Sequence, residues 1–88
     1  MSATYRAAPV PWELIGGEAV ILRDATLLRL DASGTLIWQL LADAVTLKDL
    51  VAVISRQVRV SAKVVLPDVE KEIREFEIQE LLIVTPPR

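Results

Sequence analysis

The sequence predicts an α+β domain in which a three-stranded antiparallel β-sheet is followed by three α-helices. Three observations lead there. Between residues 9 and 30 the apolar residues alternate in runs too short for helices, with turn residues between them. No crossover segment separates those runs, so they form an antiparallel meander and not a parallel sheet. From Asp31 onward the apolar residues fall at helical spacing and hold it to residue 76.

In the first strand Val10, Trp12 and Leu14 share a face, and Pro9 and Pro11 mark it as an edge or a strand start. Gly16-Gly17 is the signal of a tight hairpin, because glycine reaches positive φ without penalty. The second strand, residues 19–23, places Val20 and Leu22 on one side. A weaker turn at Asp24-Ala25 leads to the third strand: Thr26, Leu27, Leu28, Arg29 and Leu30. Here Leu27 poses a problem. It shares the face of Arg29, which points to water, so an apolar side chain stands on the solvent side of a short strand.

The first helix is expected over residues 32–42, capped by Asp31 or Ser33, with Ile37, Trp38 and Leu41 inward. Gly34 near its start costs about 1 kcal/mol against alanine, and close packing is its expected reason. Thr46 with Asp49 three residues on is a capping-box variant, with Val45 and Leu50 as staple. Leu47, Leu50, Val51, Ile54 and Val58 then form one stripe. The third helix is expected from Ser61 to about residue 80, with Ala62, Val65, Leu66, Val69, Ile73 and Phe76 buried and a local kink at Pro67. Trp12 and Trp38 are both expected in the core. The apolar run Leu81-Leu82-Ile83-Val84 is expected to pack against the sheet. Residues 1–8 read as a flexible N-terminus, 9–84 as the domain, and 85–88 as a flexible C-terminus closed by Pro86 and Pro87.

Composition narrows the function. Hydrophobic residues are 52% of the 88, enough for one small core. Histidine and cysteine are absent, which removes the commonest general base, the thiol nucleophile and the usual zinc ligands. The acidic residues of the third helix alternate with Lys71 and Arg74, as on a solvated face, with Glu70 and Arg74 at ion-pair spacing. Gly16-Gly17 lacks the lysine and following helix of a phosphate loop. No enzyme activity, cofactor or metal is expected. A net charge of −2 gives no footprint for nucleic acid. No apolar run spans a bilayer and no secretion signal is present, so no membrane partner is expected. The cysteine-free composition favours the cytoplasm. Binding is what remains.

One ordered set of motifs goes further: Trp12; Leu30-Asp31-Ala32-Ser33-Gly34; Ile37-Trp38-Gln39-Leu40-Leu41; Thr46 to Leu50; then Asp68-Val69 with Ile73 and Phe76. Together they resemble the PqqD-like family, the peptide-recognition elements of ribosomal natural-product biosynthesis (RiPP recognition elements), over residues 9–84. Asp31 stands where asparagine is more usual, and Gln79-Glu80 where many members have glycine. The resemblance implies a winged-helix-like domain. It would bind the leader segment of a precursor peptide as an added strand along the third strand, in the groove with the third helix, and present that peptide to a processing enzyme. The expected contacts are Thr26, Leu27, Leu28, Arg29 and Leu30 on the strand, with Asp68, Val69, Glu72, Ile73 and Phe76 on the helix. The periodicity leaves open which flank of that helix faces the groove. The favoured partner is a lasso-peptide leader with a Tyr-x-x-Pro motif, together with its leader peptidase.

Alternatives are a peptide chaperone of pyrroloquinoline quinone biosynthesis, a winged-helix nucleic-acid binder, or a module that pairs with its own copy. An unpaired third strand would give Leu27 a purpose, as support for a bound side chain. The competing expectation is that Leu27 packs under the C-terminal apolar run. Under the binding reading, aspartate at Leu27 or Ile73 is expected to abolish peptide affinity and leave the fold intact.

Overall fold

The computed structural model describes residues 2–87. Its elements are β1 (Thr4–Ala7), β2 (Trp12–Ile15), β3 (Glu18–Arg23), β4 (Thr26–Arg29), α1 (Ala32–Leu40), β5 (Val45–Thr46), α2 (Leu47–Val58), α3 (Ala62–Ile78) and β6 (Leu82–Thr85). The expected meander is β2-β3-β4, antiparallel throughout, and the expected three helices follow it. The hairpin β2–β3 closes on Gly16 and Gly17 at φ of 62° and 82°, a geometry open to glycine at little cost. Asp24 takes φ 54° in the next turn, which aspartate tolerates better than most residues.

A second sheet, in the order β5-β1-β6, corrects the expectation for both termini. Thr4–Ala7, expected to fray, pairs along its length with Leu82–Thr85 and at Thr4 and Tyr5 with β5. Beyond it the Ala7 N–H donates to the Leu41 carbonyl at 2.9 Å and the Ala8 N–H to the Leu81 carbonyl at 2.8 Å. The C-terminal apolar run therefore completes its own small sheet, while Leu81 at its start is buried in the core with Ala19 and Ile21 of the meander. Met1 and Arg88 fall outside the described residues.

The helix starts follow their caps. The Asp31 side chain accepts from the Gly34 N–H at 2.8 Å, and the Thr46 hydroxyl accepts from the Asp49 N–H at 3.1 Å. α1 ends at Leu40, two residues short of the expected end. α3 runs through Pro67, which is exposed. Since proline has no N–H, the Lys63 carbonyl loses its i+4 donor there. Gly34 is buried, and a Cβ on it would stand 3.2 Å from Asp31 Oδ1 and 3.4 Å from Leu30 Cβ, the close packing its position suggested.

The core is centred on Trp38, 1% exposed, with the Phe76 and Trp12 rings edge-on at 5.7 and 6.2 Å. Ala19 and Ile21 of β3, Leu41, Leu50, Val69, Ile73 and Leu81 surround it. Trp12 itself is 41% exposed, so it covers the core and is not inside it, contrary to expectation. Val58, Ala62 and Leu66, expected in the buried stripes of α2 and α3, are also exposed. The spaced pair Glu70–Arg74 forms no ion pair; the described pairs are Arg23 with Asp24, Arg23 with Glu80, and Arg29 with Glu18.

Candidate functional site: a free strand edge beside an apolar groove

β4 is the last strand of its sheet, and no described strand pairs with its far side. The phase of its backbone follows from one hydrogen bond. The Leu30 N–H donates to the Ala19 carbonyl at 2.9 Å, in register with Ile21 opposite Leu28 and Arg23 opposite Thr26. Antiparallel ladders alternate, so Thr26 and Leu28 spend their N–H and C=O groups on β3, and Leu30 its N–H, while the Leu30 carbonyl accepts from the Thr35 hydroxyl at 3.4 Å. Leu27 and Arg29 turn theirs outward. The free edge therefore offers four backbone groups, two donors and two acceptors. It ends at Asp31, whose carbonyl already accepts from the Thr35 N–H at 2.8 Å to start α1.

Little blunts this edge. Arg29 is the only charged residue within β4, and the strand has no proline. Leu27 is 68% exposed, which removes the expectation that it lies beneath the C-terminal run. It shares the outer face of the sheet with Ile15, Val20 and Leu22, around a shallow depression of about 360 Å³. Leu28 and Leu30 are half-buried on the inner face.

A groove of about 420 Å³ opens where β4 ends. Leu36 and Ile37 of α1, Ile54 and Val58 of α2, and Val64 and Val65 of α3 give it an apolar lining. Asp31, Asp68, Lys71 and Glu72 supply its charged lining. The side of α3 carrying Asp68 and Glu72 lines this groove, but no residue of β4 does, so it is walled by the helices and not by the third strand as expected. Burial raises the pKa of Glu72 above the ordinary carboxylate value, assisted by the neighbouring charges of Asp31 and Glu75 and opposed by Lys71.

The residues singled out from the sequence thus divide three ways. Thr26, Leu27, Leu28, Arg29 and Leu30 lie along or just beyond the free strand. Asp68, Val69 and Glu72 line the groove. Ile73 and Phe76 are 4% and 2% exposed, inside the core. They hold α3 in place and offer almost no surface to a partner. Sequence reasoning missed Leu36, Ile54, Val58, Val60 and Val64 as a lining. The available signal was the cluster of valines around the α2–α3 turn, more apolar residues than one helix stripe can bury.

Comparison with known proteins decides the family. The family model described as coenzyme PQQ synthesis protein D (PqqD) matches residues 18–82. The chain belongs to the PqqD family. Among solved structures, this PqqD-family chain is similar to TbiB1 in complex with the TbiA(beta) leader peptide. The two share 29% sequence identity at a TM-score of 0.77, over 88% of this chain and 93% of TbiB1. No curated protein matches significantly. Among the described residues no group of histidine, cysteine, aspartate and glutamate is placed to hold a metal ion, and no helix is long and apolar enough to cross a membrane.

Proposed function

We propose that this PqqD-family domain binds the leader segment of a ribosomally made precursor peptide as a fourth strand on β4 and presents it to a processing enzyme, with no catalysis of its own. The observation that carries this reading is the vacant edge of β4, with the backbone of Leu27 and Arg29 turned outward. The likeness to TbiB1, a protein seen with a leader peptide, supports it. This sequence's overall resemblance to the lasso branch favours a leader with a Tyr-x-x-Pro motif and a leader peptidase as client, and its lack of cysteine favours the cytoplasm as the place of work.

Magnitudes divide the labour. Four ladder hydrogen bonds at about 1 kcal/mol net supply about 4 kcal/mol. Ordering and docking a disordered peptide costs at least about that much. The ladder therefore sets direction and register. Micromolar affinity, about −8 kcal/mol, needs two or more apolar anchors contributing about 1.5–3 kcal/mol each. Leu27 on the outer face and the groove beside Asp68, Val69 and Glu72 are the surfaces available for them.

The test is titration calorimetry with synthetic leader peptides, one carrying Tyr-x-x-Pro and one from a quinone precursor. Saturable binding of the first that disappears in an edge-blocked variant is the expected outcome. Preference for the second moves the assignment to pyrroloquinoline quinone biosynthesis, the pathway in the family's description. Binding of neither, at millimolar peptide, removes the reading.

A further inference from the structure

The groove between α1, α3 and the α2–α3 turn lies beyond the strand edge, and ladder pairing does not explain it. We propose that it takes a second anchor of the same bound peptide: an apolar side chain with a lysine or arginine next to it in sequence. This rests on the strand-addition reading and adds the chemistry of the residues that flank the paired segment at its Asp31 end.

Position is the first argument. The ladder stops at Asp31 because its carbonyl and its side chain are both committed to the first turn of α1. A peptide that has paired with Leu27 and Arg29 and continues in that direction leaves the edge at Asp31, which is itself a groove residue. The path from ladder to groove is therefore unbroken.

The lining is the second. Val58, Val60 and Val64 are 47%, 40% and 61% exposed, three valines facing water around a single turn. The connection is held in one shape: Arg59 caps α2 in the left-handed region at φ 57°, and the Ser55 side chain donates to the Val60 carbonyl at 2.5 Å. A pre-shaped apolar trough loses little entropy on filling.

Charge chooses the neighbour of that anchor. Asp31, Asp68 and Glu72 line the groove against one cation, Lys71. None of the three carboxylates has an ion-pair partner among the described residues. The carboxylates of Asp31 and Glu72 converge: Asp31 Oδ1 is 3.2 Å and Glu72 Oε2 is 3.5 Å from the point where a Cβ on Gly34 would stand. Two like charges at the mouth of an apolar trough favour a cation laid between them and penalise an acidic peptide.

A displayed library of random linear peptides, selected on the intact domain, tests this. The expected result is peptides with an alternating strand-like segment flanked, on the side that meets Asp31, by an apolar residue and a lysine or arginine. In a synthetic copy, lysine to glutamine should weaken binding about tenfold, and Glu72→Gln in the domain should weaken it similarly, with no further loss when the two are combined. Val64→Asp should produce a separate loss through the apolar anchor. Selected peptides with the strand pattern but no basic position, or with affinity indifferent to Glu72→Gln, overturn the groove assignment and leave strand addition standing. Peptides that bind equally well to an Arg29→Pro variant, or a library that yields no binder, overturn strand addition and the groove assignment with it.

Discussion

Thr35 is spliced into the ladder between β3 and β4. Its Oγ1 accepts from the Ala19 N–H at 2.9 Å and lies 3.4 Å from the Leu30 carbonyl, its acceptor. A side chain of α1 thus completes the pair that the diverging strand ends leave open, and it does so inside the core, since Thr35 is 4% exposed. The edge that would receive a peptide is in this way fixed to the first helix. Thr35→Val keeps the shape and removes the acceptor, leaving the buried Ala19 N–H unpaired. The expected cost is about 1–3 kcal/mol in urea denaturation, with Thr35→Ser recovering most of it. Equal stability for Thr35→Val and wild type would mean that the hydroxyl is not the partner of Ala19.

Leu27 and Ile73 separate surface from core. Aspartate at Leu27, 68% exposed, should leave stability within about 0.5 kcal/mol and lower peptide affinity at least about tenfold. Aspartate at Ile73, 4% exposed, buries a charge with no partner and should unfold the domain, so it is no test of binding. This corrects the expectation that both substitutions spare the fold. Circular dichroism and calorimetry on the two variants distinguish them. A Leu27→Asp variant that binds as well as wild type would remove that residue from the interface.

The backbone phase of β4 makes a sharper prediction. Proline at Arg29 deletes an outward N–H and blocks the free edge, leaving every bond to β3 in place. Proline at Leu28 deletes a bond inside the sheet and should cost about 3 kcal/mol or more. Arg29→Pro is therefore expected to stay folded, with a change of about 1 kcal/mol or less, and to lose peptide binding. Should Leu28→Pro prove the milder of the two in thermal melts, the ladder would run in the opposite phase.

How far the sequence carried the fold depends on the range of each interaction. Local signals were reliable: Gly16-Gly17 at the hairpin, Thr46 with Asp49 at the start of α2, and the alternation that placed β2, β3 and β4. The small sheet escaped because its information is not local. Thr4 meets Thr85 across almost the whole chain, and in Thr-Tyr-Arg-Ala the alternation rests on Tyr5 and Ala7 alone, too short a run to announce a strand. The site divided along the same line. The free edge was legible from strand count and from an apolar residue on the wrong face. The groove was not, because Asp31 at the start of α1, Val58 of α2, and Val64 and Glu72 of α3 come from three elements that only tertiary packing brings together. Ile73 and Phe76 showed the limit of periodicity, which marks the inward face of α3 but not whether that face meets a groove or the interior.

Glu72 gives the pH dependence its sign. Burial, then the charges of Asp31 and Glu75, raise its pKa in the folded domain, and Lys71 partly offsets them. A carboxyl whose folded value lies above its unfolded value binds its proton more tightly in the native state. Its contribution to stability is therefore full at pH below the unfolded value and is lost as pH rises through the folded one. Glu72→Gln removes that loss. Its urea midpoint, measured against wild type at a series of pH values from acid to neutral, should fall progressively less, so that the variant gains on wild type as pH rises. Binding runs the other way, because a cationic peptide needs Glu72 ionised: wild-type affinity should strengthen with pH over the same range, and more steeply than that of Glu72→Gln. Parallel stability curves for the two proteins would show that Glu72 titrates like any solvated carboxylate. A binding curve that weakens with rising pH would exclude a basic partner at that carboxylate.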